Sequence, residues 1–167
     1  LHLISAFATN QRLVLSQEAV ADKSCEQLAI PELVGRMADA GALDGALVTI
    51  DAIACNPAIA ASIRAADADY LLAVKGNPPT LCAELDAAIA DARADEVDVS
   101  TDVDKNHGRL ETRRCVVSRR VDWMSSDRRF PGDLRFPDLK AIIMIESTVE
   151  IGGKIRTERR FYISSGD

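Results

Sequence analysis

The chain has 167 residues, of which 47% are hydrophobic, and a formal net charge of −6. This length and apolar content are enough for one ordinary globular domain with a core of its own. No apolar run approaches the roughly 20 residues of a membrane helix, and the opening residues lack the basic and apolar regions of a signal peptide. We therefore expect a soluble globular protein without a membrane role.

The positions of cysteine and histidine argue against the common metal-binding and redox motifs. The cysteines, Cys25, Cys55, Cys82 and Cys115, are widely spaced and form no C-x-x-C pair. Such thiols are typical of small apolar side chains buried in a protein of a reducing compartment. The two histidines are too few for a histidine-based centre, so carboxylates would have to hold any metal.

Charge is unevenly distributed along the chain. Residues 1–100 contain 6 Lys/Arg and 15 Asp/Glu, a net charge of −9, whereas residues 101–167 contain 14 and 11, a net charge of +3. The second part is the better candidate for a polyanion-binding surface, although a solvated strand face would have the same composition. Its arginines, whose guanidinium groups suit phosphate, include Arg109, Arg113, Arg114, Arg119, Arg120, Arg128, Arg129, Arg156, Arg159 and Arg160.

The first part of the chain predicts a hairpin followed by a helix. Residues 2–7 and 12–17 are both enriched in apolar side chains and flank a polar turn, which is typical of two antiparallel strands. Helical spacing of apolar residues then begins. The helix starts at Ser24, as the first residue of a capping box, or nearer Ala29, because Pro31 is poorly tolerated inside a helix.

A β-α-β unit is predicted next. The short apolar run of residues 46–51 is typical of a buried strand, and residues 70–74 form a second such run. Between them, Asn56 and Pro57 are a favourable N-cap and first helical residue, and the helix ends near Asp67. Strands joined in this way pair in parallel, and ligands bind at their carboxyl ends.

The remainder of the chain changes from helix to sheet. A helix is predicted over residues 80–94, and residues 96–106 are expected to be a polar, acidic connection. Three strands follow, at residues 110–121, 139–151 and 154–164, with a Gly152-Gly153 turn between the last two. Residues 122–137, which contain Pro131-Gly132-Asp133, are expected to be a long loop.

Asp51 is the carboxylate whose position suggests chemistry. It comes at the end of the first apolar strand of the β-α-β unit, at the sheet edge where α/β proteins bind ligands. Mg²⁺ binds oxygen ligands and commonly takes one or two protein carboxylates. The residues alone leave two interpretations open, namely that Asp51 binds a metal or that it caps the following helix.

Six stretches of the sequence form a distinctive pattern when taken together. They are HLISAFATNQRLVLSQEAVADKSCE, PELV, VTIDAIACNPAIAASI, ADYLLAVKGNPPTL, DKNHGRLETR and RRFYISSGD. Their order and spacing extend over nearly the whole chain, which is more specific than any one short motif. The pattern resembles the insertion-sequence DDE transposases of the H-repeat-associated branch.

The resemblance implies an α/β (α+β) fold with an RNase H-like mixed sheet, flanking helices and a β-rich insertion, truncated at both ends. Residues 1–95 would form part of the catalytic core, and residues 96–167 the insertion and a strand returning to the core. Three acidic residues of that family bind Mg²⁺ or Mn²⁺ in the complete protein, and Asp51 matches the second. The first lies in an Asp-Gly-Lys motif upstream, and the third in a helix after the strand matched by RFYISS.

Residues near these motifs are candidates for DNA contact. Lys75 and Asn77 in KGN follow the neighbouring strand and would face the site or its DNA, or else cap a loop. His107, Arg109 and Arg113 in HGRLETR are further candidates for DNA contact.

Two more acidic residues need to be weighed against Asp51. Glu111, in the same HGRLETR motif, is a candidate metal ligand, with DNA contact or strand pairing as alternative roles. Glu146 lies in an apolar run, and we expect it to be an edge or turn residue rather than a ligand.

The resemblance implies a DNA transposase whose complete form cleaves and transfers DNA strands at transposon ends by metal-dependent phosphoryl transfer. Its partners would be transposon-end and target DNA, with self-association on DNA, in a bacterial cytoplasm near the nucleoid. We expect this fragment to be inactive alone. The alternative is a non-catalytic transposase remnant that acts at most as a DNA-binding or assembly module. A hydrolase or reductase is disfavoured because the chain lacks a nucleophile elbow and a dinucleotide-binding glycine motif.

Overall fold

The computed structural model describes residues 2–21, 26–51, 55–74, 79–106, 109–125 and 136–167. These residues form a two-stranded sheet, a six-stranded mixed sheet and flanking helices, which confirms the predicted α+β class. The strands are β1 (His2–Ala8), β2 (Leu13–Val20), β3 (Leu47–Ile50), β4 (Asp69–Val74), β5 (Val97–Asn106), β6 (Arg109–Ser118), β7 (Ala141–Ile151) and β8 (Lys154–Ser164). The helices are α1 (Glu26–Asp39), α2 (Pro57–Ala65), α3 (Pro79–Ala90) and α4 (Asp122–Ser125). Within this part of the chain no helix has the length and apolar character needed to cross a bilayer.

The opening hairpin is confirmed, since β1 and β2 pair antiparallel and α1 packs against both strands. The helix continues through Pro31, so the alternative start near Ala29 is wrong. Pro31 removes one backbone N–H from the helix, and the burial of Ile30, Leu33 and Val34 on its core-facing side offsets this loss. The other predicted start, Ser24, lies outside the described residues.

The parallel β-α-β unit is also confirmed. β3 pairs in parallel with β4, with Ile50 opposite Leu72. α2 begins as predicted, because the side chain of Asn56 accepts a hydrogen bond of 2.7 Å from the backbone N–H of Ala58 and Pro57 is the first helical residue.

The strands β5 to β8 form an antiparallel meander, and the six-stranded sheet has the order β3-β4-β8-β7-β6-β5. Gly152 and Gly153 connect β7 to β8 with φ angles of 55° and 74°, the left-handed geometry of a tight two-residue hairpin turn. The sheet is continuous across residue 95, and the predicted division of the chain there stays a prediction.

Much of the meander extends past the end of β4. Only Phe161–Ser164 of β8 pair with β4, so Lys154–Arg160 continue beyond Val74 with β7 as their neighbour. We call the projecting parts of the four strands the ribbon; it comprises residues 100–106, 109–115, 145–151 and 154–160. The ribbon therefore projects on the side of the molecule where the carboxyl ends of β3 and β4 lie.

The core lies on one face of the six-stranded sheet, where α2 and α3 cover β4, β7 and β8. Its largest fully buried apolar side chains are Tyr70, Ile59, Ile63, Leu72, Leu85, Ile142, Ile163 and Val116. Burial raises the pKa of Tyr70 above its usual value, and its hydroxyl donates a hydrogen bond of 2.8 Å to the carbonyl of Pro137. The buried phenol is therefore paired, as buried polar groups must be.

The acidic segment 96–106, expected to be a connection, is mostly the strand β5. Val97, Val99 and Val103 alternate with polar residues, which is the period of a strand. Among the described residues β5 pairs only with β6, and carboxylates are common on such edge strands because they discourage aggregation. The acidic composition of this segment therefore made its strand pattern difficult to recognise from the sequence.

Two further expectations need correction. The predicted loop 122–137 begins with the one-turn helix α4, and residues 126–135 lie outside the described residues. Glu146 is neither an edge nor a turn residue, because β7 lies between β6 and β8. Its Oε2 instead accepts a charge-assisted hydrogen bond of 2.7 Å from Nε of Arg159 on the neighbouring strand.

Candidate metal-binding edge of the sheet

Asp51 lies directly after β3, at the carboxyl end of the parallel β3–β4 pair. The strand before it is held in place because Val48 and Ile50 pack against the core. The side chain of Asp51 itself is exposed. A carboxylate at this place is fixed by the sheet and accessible from solvent, as a metal ligand at a sheet edge must be. Its role as a metal ligand stays a prediction.

The alternative role of Asp51 as the helix cap is wrong. The N-cap of α2 is Asn56, whose extended backbone and side-chain acceptor begin the helix. Asn56 follows Asp51 by several residues, so Asp51 is not the residue that begins the helix.

Two thiols lie at the same edge. Sγ of Cys82 is 3.9 Å from the carbonyl oxygen of Val74, at the end of β4. Burial raises the pKa of Cys55 to about 11, and the neighbouring Cys82 adds to this rise; burial also raises the pKa of Cys82. Both thiols are protonated at neutral pH and serve as packing groups, since the thiolate is the nucleophile and metal ligand.

These thiols partly match the sequence-based expectation. Cys55, Cys82 and Cys115 are free and half-buried, whereas Cys25 lies outside the described residues. The proximity of Cys55 and Cys82 is not predictable from their spacing, because it depends on where α3 packs.

The described residues alone do not form a complete metal site. Within residues 2–21, 26–51, 55–74, 79–106, 109–125 and 136–167, no three His, Cys, Asp or Glu side chains come together. Asp51 is an oxygen donor of the kind that Mg²⁺ and Mn²⁺ prefer. Asp51 therefore fits the role of one ligand in a two-metal centre, and the other ligands would come from residues other than those described.

The remaining site candidates fall into two groups. Lys75, Asn77 and His107 lie outside the described residues. Arg109 and Arg113 lie on β6, which is separated from β3 by β4, β8 and β7. With about 4.8 Å between neighbouring strands, this separates them from Asp51 by about 20 Å across the sheet, in addition to their offset along the strands. The structure does not bring these two arginines to the edge where Asp51 lies.

Glu111 is paired with the two arginines of its own motif. Its Oε2 is 2.7 Å from Nη2 of Arg109 and its Oε1 is 2.7 Å from Nη2 of Arg113. Alternate residues of a strand share a face, which places the three side chains together, and the Glu111 side chain is only 13% exposed. The geometry supports a structural role for Glu111 rather than metal binding.

Most arginines of the basic second part are in ion pairs. Those paired in the structure are Arg109, Arg113, Arg119, Arg120, Arg159 and Arg160. Arg114 and Arg156 have no ion pair among the described residues, and Arg128, Arg129 and Arg135 lie outside them. The positive charge of this part is therefore largely balanced locally.

Arg159 and Arg160, like Arg156, lie on the ribbon strand that is nearest to Asp51. They are on β8, which is separated from β3 only by β4. Sequence reasoning counted them in the basic excess but did not name them as site residues. The motif RRFYISS could have indicated their place, because its two arginines directly precede the segment of β8 that pairs with β4.

Comparisons with known proteins identify the family. No family model and no solved structure matches the chain. The chain is 36% identical over 167 residues to "Uncharacterized protein in dhlA 3'region" of Xanthobacter autotrophicus, covering 99% of this chain and 53% of that protein. It is 34% identical over 173 residues to "H repeat-associated putative transposase YhhI" of Escherichia coli K12, covering 100% and 43%.

A third relative has a matching name, "Putative transposase YncI" of Escherichia coli K12, and is 37% identical over 123 residues, which cover 71% of this chain and 47% of the relative. The chain belongs to the H repeat-associated transposase family. The family resemblance found in the motifs is thereby confirmed. The chain spans about half the length of the family members and other curated relatives that it matches.

Proposed function

We propose that this chain is the central part of the catalytic domain of a DDE transposase with an RNase H-like core. In this proposal Asp51 is the second of three carboxylates that bind Mg²⁺ or Mn²⁺. The main support is the position of Asp51, an exposed carboxylate directly after β3 at the carboxyl end of a parallel strand pair. The resemblance of the surrounding VTIDAIACNPAIAASI to the family motif adds to this support.

The part of this chain in the reaction is to hold Asp51 in place. The parallel pairing of Ile50 with Leu72 and the packing of α2 fix the strand end from which Asp51 extends. In the complete protein, divalent ions would activate the attacking hydroxyl or water and stabilise the leaving oxygen of the phosphodiester. The other two carboxylates are proposed to lie beyond these 167 residues, in the Asp-Gly-Lys motif and in a later helix.

The partners in this proposal are transposon-end DNA and target DNA, in a bacterial cytoplasm near the nucleoid, with self-association on DNA. Arg109 and Arg113, together with Lys75, Asn77 and His107, are proposed to contact the DNA backbone. Because phosphate contacts release counterions, binding through them should weaken steeply as the salt concentration rises. The pairing of Arg109 and Arg113 with Glu111 reduces their net charge and should limit that affinity.

The test uses the complete reading frame of the element, purified as wild type and as Asp51→Asn, with supercoiled plasmid that contains the element's own ends as substrate. With Mg²⁺ or Mn²⁺ we expect nicking by the wild type and a loss of at least about 100-fold in the variant. Asp44→Asn is the matched control, because it changes an exposed aspartate before β3, and it should retain activity. Undiminished cleavage by Asp51→Asn would refute the proposed metal ligand.

The same assay distinguishes a catalytic transposase from a non-catalytic remnant. The 167-residue chain alone should not nick plasmid, because it provides one of three carboxylates. If the chain alone did nick plasmid in the presence of metal, and Asp51→Asn abolished this activity, the site would be complete without the flanking segments. If the complete protein is inactive but binds its own DNA ends, the protein is the non-catalytic remnant with a DNA-binding or assembly role.

A further inference from the structure

We propose that two copies of this chain associate edge to edge, with β5 of one copy adding antiparallel to residues 154–160 of β8 in the other. Among the described residues, β5 pairs only with β6, and residues 154–160 pair only with β7. In the described part of the chain each is therefore an open sheet edge with a row of backbone N–H and C=O groups that another strand can pair with.

The two edges have opposite charge. On one face of the sheet, the β5 edge has three aspartates and the β8 edge has three cations and one glutamate. On β5 these residues are Asp98, Asp102 and Asp104, and on β8 they are Lys154, Arg156, Arg160 and Glu158. Within the described part of the chain, Asp102, Asp104, Lys154 and Arg156 form no ion pair. The ribbon thus has two acidic groups on one edge and two basic groups on the other that lack partners.

One antiparallel register gives these groups partners on both faces of the joined sheet. When Arg156 lies opposite Asp102, Lys154 lies opposite Asp104. The same register places Arg160 opposite Asp98. On the other face Ile155, which is 69% exposed, comes opposite Val103, which is 59% exposed. Cross-strand pairs of opposite charge and of β-branched side chains both stabilise antiparallel strands.

Like edges do not fit each other in this way. Antiparallel pairing of two β5 edges sets aspartates against aspartates, such as Asp102 against its own copy or Asp98 against Asp104, and like charges directly opposite are destabilising. The β8 edge has a net positive charge and repels a second β8 edge. Charge therefore selects the pairing of β5 with β8 and opposes the pairing of β5 with itself.

This contact differs from a symmetric dimer. It joins two different edges, so each associated copy keeps one further edge open and chains of copies can grow. One pair of seven-residue strands is smaller than a standard interface of about 1,600 Å², so the association should be weak. The inference is independent of the proposed transposase chemistry and requires no DNA.

The experiment is sedimentation velocity without DNA, at low salt, on wild type, Asp102→Arg, Arg156→Asp and an equimolar mixture of the two variants. Concentrations of about 10 µM to 1 mM cover the range expected for a small interface. Asp91→Arg is the matched control because it makes the same charge change at an exposed position after α3. Circular dichroism of each variant verifies that it is folded.

We expect the wild type and Asp91→Arg to associate, and less so as salt screens the charges. Each single reversal should lower the association constant at least about tenfold, because it sets like charges opposite each other. The mixture should recover association, in chains where the two variants alternate, since the unchanged Asp102 and Arg156 meet at one contact and the two reversed positions meet with opposite charge at the next. The double variant Asp102→Arg/Arg156→Asp should recover the association of the wild type.

Several results would overturn the inference. A monomeric wild type over the whole concentration range would do so, as would single variants that associate as the wild type does. Failure of both the mixture and the double variant to recover association would show that the two residues do not face each other.

Discussion

Nη1 of Arg64 lies 2.6 Å from Oδ1 of Asp69, so the last turn of α2 is bonded to the first residue of β4. The same guanidinium donates to the carbonyl of Ala68 at 3.0 Å and to Oδ2 of Asp138 at 2.9 Å. Ser165, just after β8, donates from Oγ to Oδ1 of Asp69 at 2.8 Å. One half-buried arginine thus connects the helix of the β-α-β unit, its second strand and the segment before β7.

Arg64→Met should lower the free energy of unfolding by about 1 to 3 kcal/mol, because it removes charge-assisted hydrogen bonds that join separate elements. Arg93→Met is the control, since its ion pairs with Asp95 and Glu96 are local and its side chain is 71% exposed; it should cost less than about 1 kcal/mol. Urea denaturation measures both. Equal losses in the two variants would contradict the role assigned to Arg64.

Glu111→Gln should raise the affinity of the ribbon for DNA, because it removes the carboxylate that pairs with Arg109 and Arg113. At low salt we expect the affinity for a short labelled duplex, measured by fluorescence anisotropy, to rise by about two- to fivefold. The matched control is Glu150→Gln, which changes an exposed glutamate of the neighbouring strand by the same charge. If both variants gain affinity equally, the pairing of Glu111 with the two arginines has no specific effect.

Asp51 and Asn56 should differ in their effect on stability. Asn56→Ala removes the N-cap of α2, with its 2.7 Å hydrogen bond to Ala58, and should cost about 1 kcal/mol of unfolding free energy. Asp51→Ala changes an exposed side chain that does not cap the helix and should cost less than Asn56→Ala. Thermal or urea unfolding compares them. A loss for Asp51→Ala as large as that for Asn56→Ala would indicate that Asp51 has a structural role.

Cys55 should give the folded state an alkaline pH dependence. Its pKa is raised from 9.0 to about 11 by burial, so the folded protein holds the thiol proton more tightly than the unfolded chain. This contribution is fully present below pH 9 and is lost as the pH rises through about 11. Cys55→Ser removes the titrating group, so its unfolding free energy should fall less over this interval than that of the wild type.

The expected difference between the two pH curves is up to about 2 kcal/mol, measured by urea denaturation at several pH values. Cys115→Ser serves as the control because it removes a thiol of β6, away from this edge. Parallel curves for wild type and Cys55→Ser would be inconsistent with the raised pKa.

Those parts of the fold that depend on local pattern could be predicted from the sequence. The apolar runs of β3 and β4, the Asn56-Pro57 helix start and the Gly152-Gly153 turn are each specified by neighbouring residues. β5 was missed because its strand conformation depends on pairing with β6. Edge strands that are exposed on both faces have little apolar contrast.

The candidate site was predictable to a similar extent. The position of Asp51 at a strand end follows from the local sequence, whereas its exposure depends on the tertiary structure. The pairing of Glu111 with Arg109 and Arg113 was implicit in their alternation along one strand. The contact of Arg159 with Asp86 of α3 was not predictable, because it depends on how the helix packs against the sheet.

The placement of β8 between β4 and β7 also has a consequence for the order of folding. The turns of the β5–β6 and β7–β8 hairpins are local, whereas residues 119–140 separate β6 from β7. The backbone N–H of Tyr70 donates to Oγ of Ser165 across a sequence separation of 95 residues, and closing so long a loop costs entropy before any contact is gained. The two hairpins should therefore form before β8 pairs with β4 and so joins them to the β-α-β unit, with Asp51 at its end.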